Sequence, residues 1–333
     1  MKSIVQRCLL VGILVLPTSL GAAQDTKKTD GVNQRMGLPS ITKHTSSSNV
    51  PRDLAYGAYQ RGMYLTAFEL ALPRAEGGDP AAQTLIAELY ESGRGIARDA
   101  KKAAQWYALA ADAGNREAQF AYSLKLLEGV GVTKNVERSI DLLRQAADKG
   151  HPMAMFNYAS YLIDERPTIR GYSQALPYLE KAAEYRLPDA YFLLAQIYRH
   201  GLATGIGDQE RSREMLIRAA RSGVDDAQVE LGKTYLNGVG VEKDPKNAFR
   251  WFQIAARKGN AAAQNQLAHL YYRGNGTQVN PVESAKWHIL ASRAGISDPE
   301  LDRYLGYLDD ETMTLALSAA NRWPGKLSSS GCA

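Results

Sequence analysis

Cysteine is nearly absent: this chain has two in 333 residues. Cys8 lies in an apolar stretch near the start and Cys332 beside the last residue, so no disulfide framework is expected and packing must hold the fold. Histidine is almost as sparse. His44, His151, His200, His269 and His288 are widely separated, with no His-x-x-x-His or comparable ligand spacing, and no metal centre is expected. No apolar run approaches the roughly 20 residues that span a bilayer; the longest, Cys8 to Leu16, is about half that. Basic side chains exceed acidic ones by only five and are spread evenly, which excludes the one-sided basic stripe of a nucleic-acid binder. A nucleophile elbow is missing too, and paired carboxylates such as Asp225-Asp226 and Asp309-Asp310 stand at helix starts, where they favour the positive end of the dipole. No catalytic residue and no cofactor site is therefore expected.

What is present is ordinary globular material, 45% hydrophobic and 23% charged, which excludes wholesale disorder. Lys2 and Arg7, the apolar run, and the small residues ending in Gly21-Ala22-Ala23 match the three parts of a secretory signal peptide over residues 1–23. Residues 24–50 are polar, rich in Ser and Thr and without periodicity, and read as a flexible arm.

Beyond the arm the chain repeats itself. Gln83, Gln119, Met155, Tyr191, Gln228 and Gln264 form a column with a spacing of about 36 residues, and each follows an alanine: Ala82, Ala118, Ala154, Ala190, Ala227 and Ala263. A second column runs Trp106, Leu142, Tyr178, Met215, Trp251 and Trp287, followed four and five residues later by small pairs such as Ala110-Ala111 and Ala255-Ala256. Each unit thus holds two amphipathic helices, near 80–91 and 100–113 in the first example, with the large column expected to fill the junctions between hairpins. Asp99, Asn135, Asp208, Asp244 and Asn280 stand where a side chain caps the second helix, and Gly114, Gly150, Gly223 and Gly259 stand where it ends.

Gly-x-Gly pairs recur at Gly93/Gly95, Gly129/Gly131, Gly238/Gly240 and Gly274/Gly276, always between two helices. A phosphate cradle needs one site after a strand, so these are turn residues.

The stretches "AQTLIAELYESGRGIARDAKKAAQWYALAADAG" and "AQVELGKTYLNGVGVEKDPKNAFRWFQIAARKG" resemble the SEL-one-like repeat, a relative of the tetratricopeptide repeat. The resemblance implies an all-α, right-handed superhelical solenoid of antiparallel helical hairpins that binds other proteins. About six and a half units fit within 79–309, between an N-terminal helical cap over 51–78 and a C-terminal helix with a loose tail over 310–333. Signal peptide, arm, repeats and helical end together resemble periplasmic regulators of the ExoR type, which repress exopolysaccharide production by holding a sensor kinase inactive. The partner implied is another protein, an envelope protein or a sensor-kinase ectodomain. A scaffold or chaperone for envelope or polysaccharide assembly, and a secreted effector that meets host proteins, are the alternatives.

Two candidate surfaces follow. One is the pair of irregular loops in the third and fourth units, "DERPTIRGYS" and "RHGLATGIGD", which bring Arg166, Arg170, Arg199 and His200 into one patch. The other is an aromatic column, Phe120, Phe156 and Phe192, which packs in the core or lines a groove with Asn157, Leu193, Glu230 and Gln266. The signal segment predicts a mature protein that begins near Gln24 and fractionates with periplasmic contents. N-terminal sequencing of the purified native protein checks this, and an intact Met1 would refute it.

Overall fold

A computed structural model of the protein describes residues 53–323. The signal peptide expected at 1–23, the arm at 24–50 and the tail after residue 323 lie outside the described residues. Among those described there are sixteen helices and no strand.

The chain divides into two compact units at Ala146/Ala147. The first carries α1 (Leu54–Gln60), α2 (Tyr64–Glu76), α3 (Pro80–Ser92), α4 (Ala100–Asp112), α5 (Arg116–Glu128) and most of α6 (Val136–Asp148). The second carries α7 (Pro152–Glu165), α8 (Ile169–Glu184), α9 (Pro188–His200), α10 (Gln209–Arg221), α11 (Asp225–Asn237), α12 (Pro245–Arg257), α13 (Ala261–Arg273), α14 (Pro281–Arg293), α15 (Pro299–Leu305) and α16 (Asp310–Asn321). Within each unit consecutive helices pack as hairpins, and consecutive hairpins pack on one another.

Local chemistry sets these boundaries. The carboxylates of Asp99, Asp208 and Asp244 accept N–H groups in the first turns of α4, α10 and α12, and Asn135 and Asn280 do the same for α6 and α14. Asp309 caps α16 through the Thr312 N–H. At the other ends Gly114, Gly150, Gly223 and Gly259 all have positive φ, as their place after a helix requires. In the third hairpin Arg186 takes this place at φ 61°, the one non-glycine residue with positive φ among the described residues.

The Gly-x-Gly pairs are turns, and the second glycines Gly95, Gly131 and Gly276 do more than turn, whereas Gly240 has open space around it. A Cβ on Gly131 would lie 2.1 Å from the Ala100 carbonyl oxygen, and one on Gly276 equally close to that of Pro245. These two loops therefore rest directly on the start of the preceding hairpin's second helix, at a distance only glycine permits.

All six alanines preceding the glutamine column are buried. The glutamines are buried beside them and donate to a carbonyl eight residues earlier, at the end of the preceding helix: Gln83 to Ala75 (3.1 Å), Gln119 to Ala111 (3.2 Å), Gln228 to Ala220 (3.0 Å) and Gln264 to Ala256 (3.3 Å). Serines add a bond within hairpins, where Ser139, Ser212 and Ser284 donate to the carbonyls of Ser123, Ala195 and Ala268.

At four of its six positions the large column is one residue out of the register expected from the sequence, while Leu142 and Trp287 of the same column are buried. Trp106, Tyr178, Met215 and Trp251 are only half-buried, whereas Tyr107, Leu143, Leu179, Leu216, Phe252 and His288 are all buried. The reason is helical geometry: residue 252 lies three and four positions before Ala255 and Ala256, which puts the three on one face, while residue 251 lies four and five before them. Phe252 is fully buried, and its ring fills the space left by Gly232, where a Cβ would approach it to 2.9 Å. Phe252→Ala is therefore expected to cost about 3–5 kcal/mol and Trp251→Ala less than half of that. Denaturant titration of both variants checks the order, and hydrogen exchange on Phe252→Ala should show lost protection confined to hairpins around residues 225–296. A larger loss at Trp251 would restore the original register.

Candidate functional site

Phe120 belongs to the first unit and is half-buried. In the second unit Phe156 is buried in the core and Phe192 is half-buried. Leu193 and Gln266 are half-buried on α9 and α13.

Glu230 on α11 is bound within the protein: Gln196 donates to its Oε2 at 2.7 Å and Arg199 pairs with its Oε1. The same device recurs further on, where Asn265 and His269 of α13 both contact Asp298 Oδ2, at 2.9 and 2.7 Å. Burial alone would raise the Asp298 carboxyl, but those hydrogen bonds and the Leu301 N–H hold it well below the usual carboxylate range. In the first unit Glu91 accepts from Lys125 Nζ at 2.6 Å and from the Tyr107 hydroxyl at 2.9 Å. Polar residues on the first helices of successive hairpins thus staple those helices together, and Arg199 and Glu230 are such a staple.

Asn157 has a different fate. Only 8% of the residue is exposed, and neither Nδ2 nor Oδ1 has a hydrogen-bond partner or is reachable by solvent. A partner cannot touch this amide without a rearrangement of α7, so Asn157 is not a groove contact in this conformation. Leucine stands at the equivalent place in the first and fourth hairpins, as Leu85 and Leu193.

The irregular loop of the fourth hairpin lies against the second helix of the third. In the third hairpin the connection shrinks to three residues, Arg166 to Thr168, and Gly171 of α8 lets the two helices close: a Cβ there would meet the Arg166 carbonyl oxygen at 2.0 Å. The fourth loop leans against α8, since Ser173 donates to the Ala203 carbonyl at 2.6 Å and Ile169 reaches towards Gly205. Arg166, Arg170 and His200 are exposed on this edge, while Arg199 is committed to Glu230.

Between the loop and the helices lies a cleft of about 460 Å³ that sequence reasoning did not anticipate. Leu176 of α8, Ile197 and Tyr198 of α9, and Ala203 line its apolar part, with Thr204, Ile206 and Arg211 towards the opening. Its origin is the extra residue in the fourth loop. In the first, second and fifth hairpins the apolar residue after the second glycine, Ile96, Val132 or Val241, is half-buried. In the fourth, Ile206 is 79% exposed and the space beneath it is left open. Tyr198 forms one wall, its hydroxyl donating to Glu180 at 2.7 Å and its ring covered by the Arg211 guanidinium; burial and that carboxylate push the phenol up to about 12.

The Sel1 repeat family model matches residues 80–115, 116–151, 152–184, 188–224, 225–260 and 261–296, well over half of the chain. Among solved structures, a Sel1 repeat protein from Oxalobacter formigenes is 29% identical with a TM-score of 0.62, covering 74% of this chain and 98% of that one. A protective antigen of uropathogenic Escherichia coli strains, displaying an SLR fold, is 24% identical with a TM-score of 0.54, covering 78% and 64% of the two chains. No curated protein matches. The all-helical solenoid class expected from the repeat is the class found.

Replacing Asn157 with leucine should stabilise the protein by about 1–3 kcal/mol, because an unbonded buried amide gives way to a side chain the equivalent hairpins already hold. Thermal unfolding of Asn157→Leu checks this, and a lower midpoint would mean the amide has a bonding role.

Proposed function

The chain belongs to the Sel1 repeat family, whose repeats are protein–protein interaction modules, and we propose that it acts outside the cytoplasm by holding an envelope protein through the loop edge of its third and fourth hairpins. One observation carries this reading: departures from the repeat gather in those two hairpins. There the glutamine column gives way to Met155 and Tyr191, the glycine at the end of α8 gives way to a strained Arg186, and the regular glycine turns give way to a shortened and a lengthened loop. Non-glycine residues at positive φ cost on the order of 1 kcal/mol. Costs collected at one edge fit a surface kept for recognition rather than for stability.

The signal-like segment at residues 1–23 supports export, with the periplasm as destination and secretion as the alternative. The more specific reading is a periplasmic negative regulator that restrains a sensor-kinase ectodomain controlling exopolysaccharide production. It rests on the order of segments in the sequence: signal, polar arm, repeats and helical end. A scaffold for envelope assembly would use the same edge without controlling a kinase.

A photo-crosslinking residue placed at Ile206 in cells is expected to capture an envelope protein, identified by mass spectrometry. The same residue at exposed Leu109 of α4 serves as the control. An adduct with a kinase ectodomain supports the regulator and one with assembly machinery the scaffold. Equal capture from both positions, or none from 206, would overturn the docking edge.

A further inference from the structure

The reading above says where a partner docks; the chemistry of the cleft says what docks there. We infer that the cleft between α8, α9 and the fourth loop receives a single apolar side chain from an extended segment of another protein, flanked in that segment by carboxylates. The inference rests on the proposed docking edge.

The floor, formed by Leu176, Ile197 and Ala203, offers no charge, and this apolar part is a patch that one leucine, methionine or phenylalanine side chain covers, the rest of the cleft lying among the polar residues Thr204, Asp208, Gln209 and Arg211. Ile169 and Ile206 stand at the opening 57% and 79% exposed, so apolar surface continues from the cleft to its rim. Such surface is covered with gain when a partner side chain displaces water from it.

The sign of the flanking charge follows from which ionic groups are already used. The carboxylate of Asp208 caps α10 through the Arg211 N–H and lies 3.4 Å from the Arg211 guanidinium. Glu180 accepts the Tyr198 hydroxyl. Nearby, Arg166 and Arg170 are exposed at the entry to α8, beside the Ile169 that reaches the loop, and neither is in an ion pair among the described residues. With Asp208 and Glu180 engaged and the guanidinium groups of Arg166 and Arg170 uncommitted on either side of the rim residue Ile169, the complementary segment is acidic. Arginine suits this task because its planar guanidinium grips a carboxylate with two parallel bonds.

Selection of displayed random short peptides on the full chain tests this, with binders to Ile206→Asp removed. That substitution, like Arg166→Glu and Arg170→Glu, sits on exposed positions, and an unchanged thermal midpoint confirms that each variant folds. Surviving sequences are expected to carry one Leu, Ile, Met, Phe or Trp between acidic residues. Measured by fluorescence anisotropy, their affinity should fall about tenfold on Arg166→Glu/Arg170→Glu, and also when salt rises from about 50 to 500 mM. Basic or uncharged survivors, or binding indifferent to the arginine variant, would overturn the inference. A concentration-dependent dimer abolished by Ile206→Asp would also overturn it, by assigning the cleft to a second copy of the chain. If Ile206 still crosslinks to an envelope protein while acidic peptides fail, the docking edge stands and only its chemistry falls. If both fail, both fall.

Discussion

A side-chain amide bonded to the last carbonyls of the preceding helix is what the regular part of this structure turns on. Each such carbonyl already accepts the backbone N–H three residues on, from Gly78, Gly114, Gly223 or Gly259, and its second lone pair is left for a donor from the next hairpin. Gln83, Gln119, Gln228 and Gln264 each carry a donor to such a carbonyl from the next hairpin, across a contact made close by the alanine beside them. The bond reads register as well as proximity, since a hairpin displaced by a residue would aim the amide at nothing. In two of these hairpins the loops also come close, and Gly131 and Gly276 have room for a hydrogen and for nothing larger.

Much of this was legible in the sequence because it is local or periodic. Caps, the glycines after helices and the 36-residue column each follow from backbone chemistry acting within a few residues, and repetition turns a weak signal into a firm one. What a side chain meets across space was less legible. The large column was placed at Trp251 when the packing residue is Phe252, because tryptophan draws the eye while the three- and four-residue spacing to the alanine pair decides the face. Glu230 and Arg199 read as surface groups free for a partner, yet they bind each other, an outcome set by the offset between neighbouring helices and invisible in either helix alone. The loops around Arg166 and Arg170 were seen as irregular, but the cleft was not, because a cavity is defined by what fails to fill it. The signal was nevertheless there: one extra residue before Asp208, which moves Ile206 out of the place that Ile96 and Val132 occupy.

Repeat architecture explains how such departures survive. In a globular domain, loss of an inter-helix bond, a residue at positive φ and an unfilled space would weaken one shared core together. In a stacked array each hairpin answers chiefly to its neighbours, so the cost stays near the third and fourth hairpins and the glutamine-bonded ones keep their packing. Asn157 belongs to the same account, as a buried amide without a partner on α7, within the irregular stretch. Stability thus constrains the regular hairpins strongly and these two weakly. That freedom lets the edge between α8 and the fourth loop be shaped by what it binds, with an open apolar space and uncommitted arginines where a regular repeat would have a filled turn.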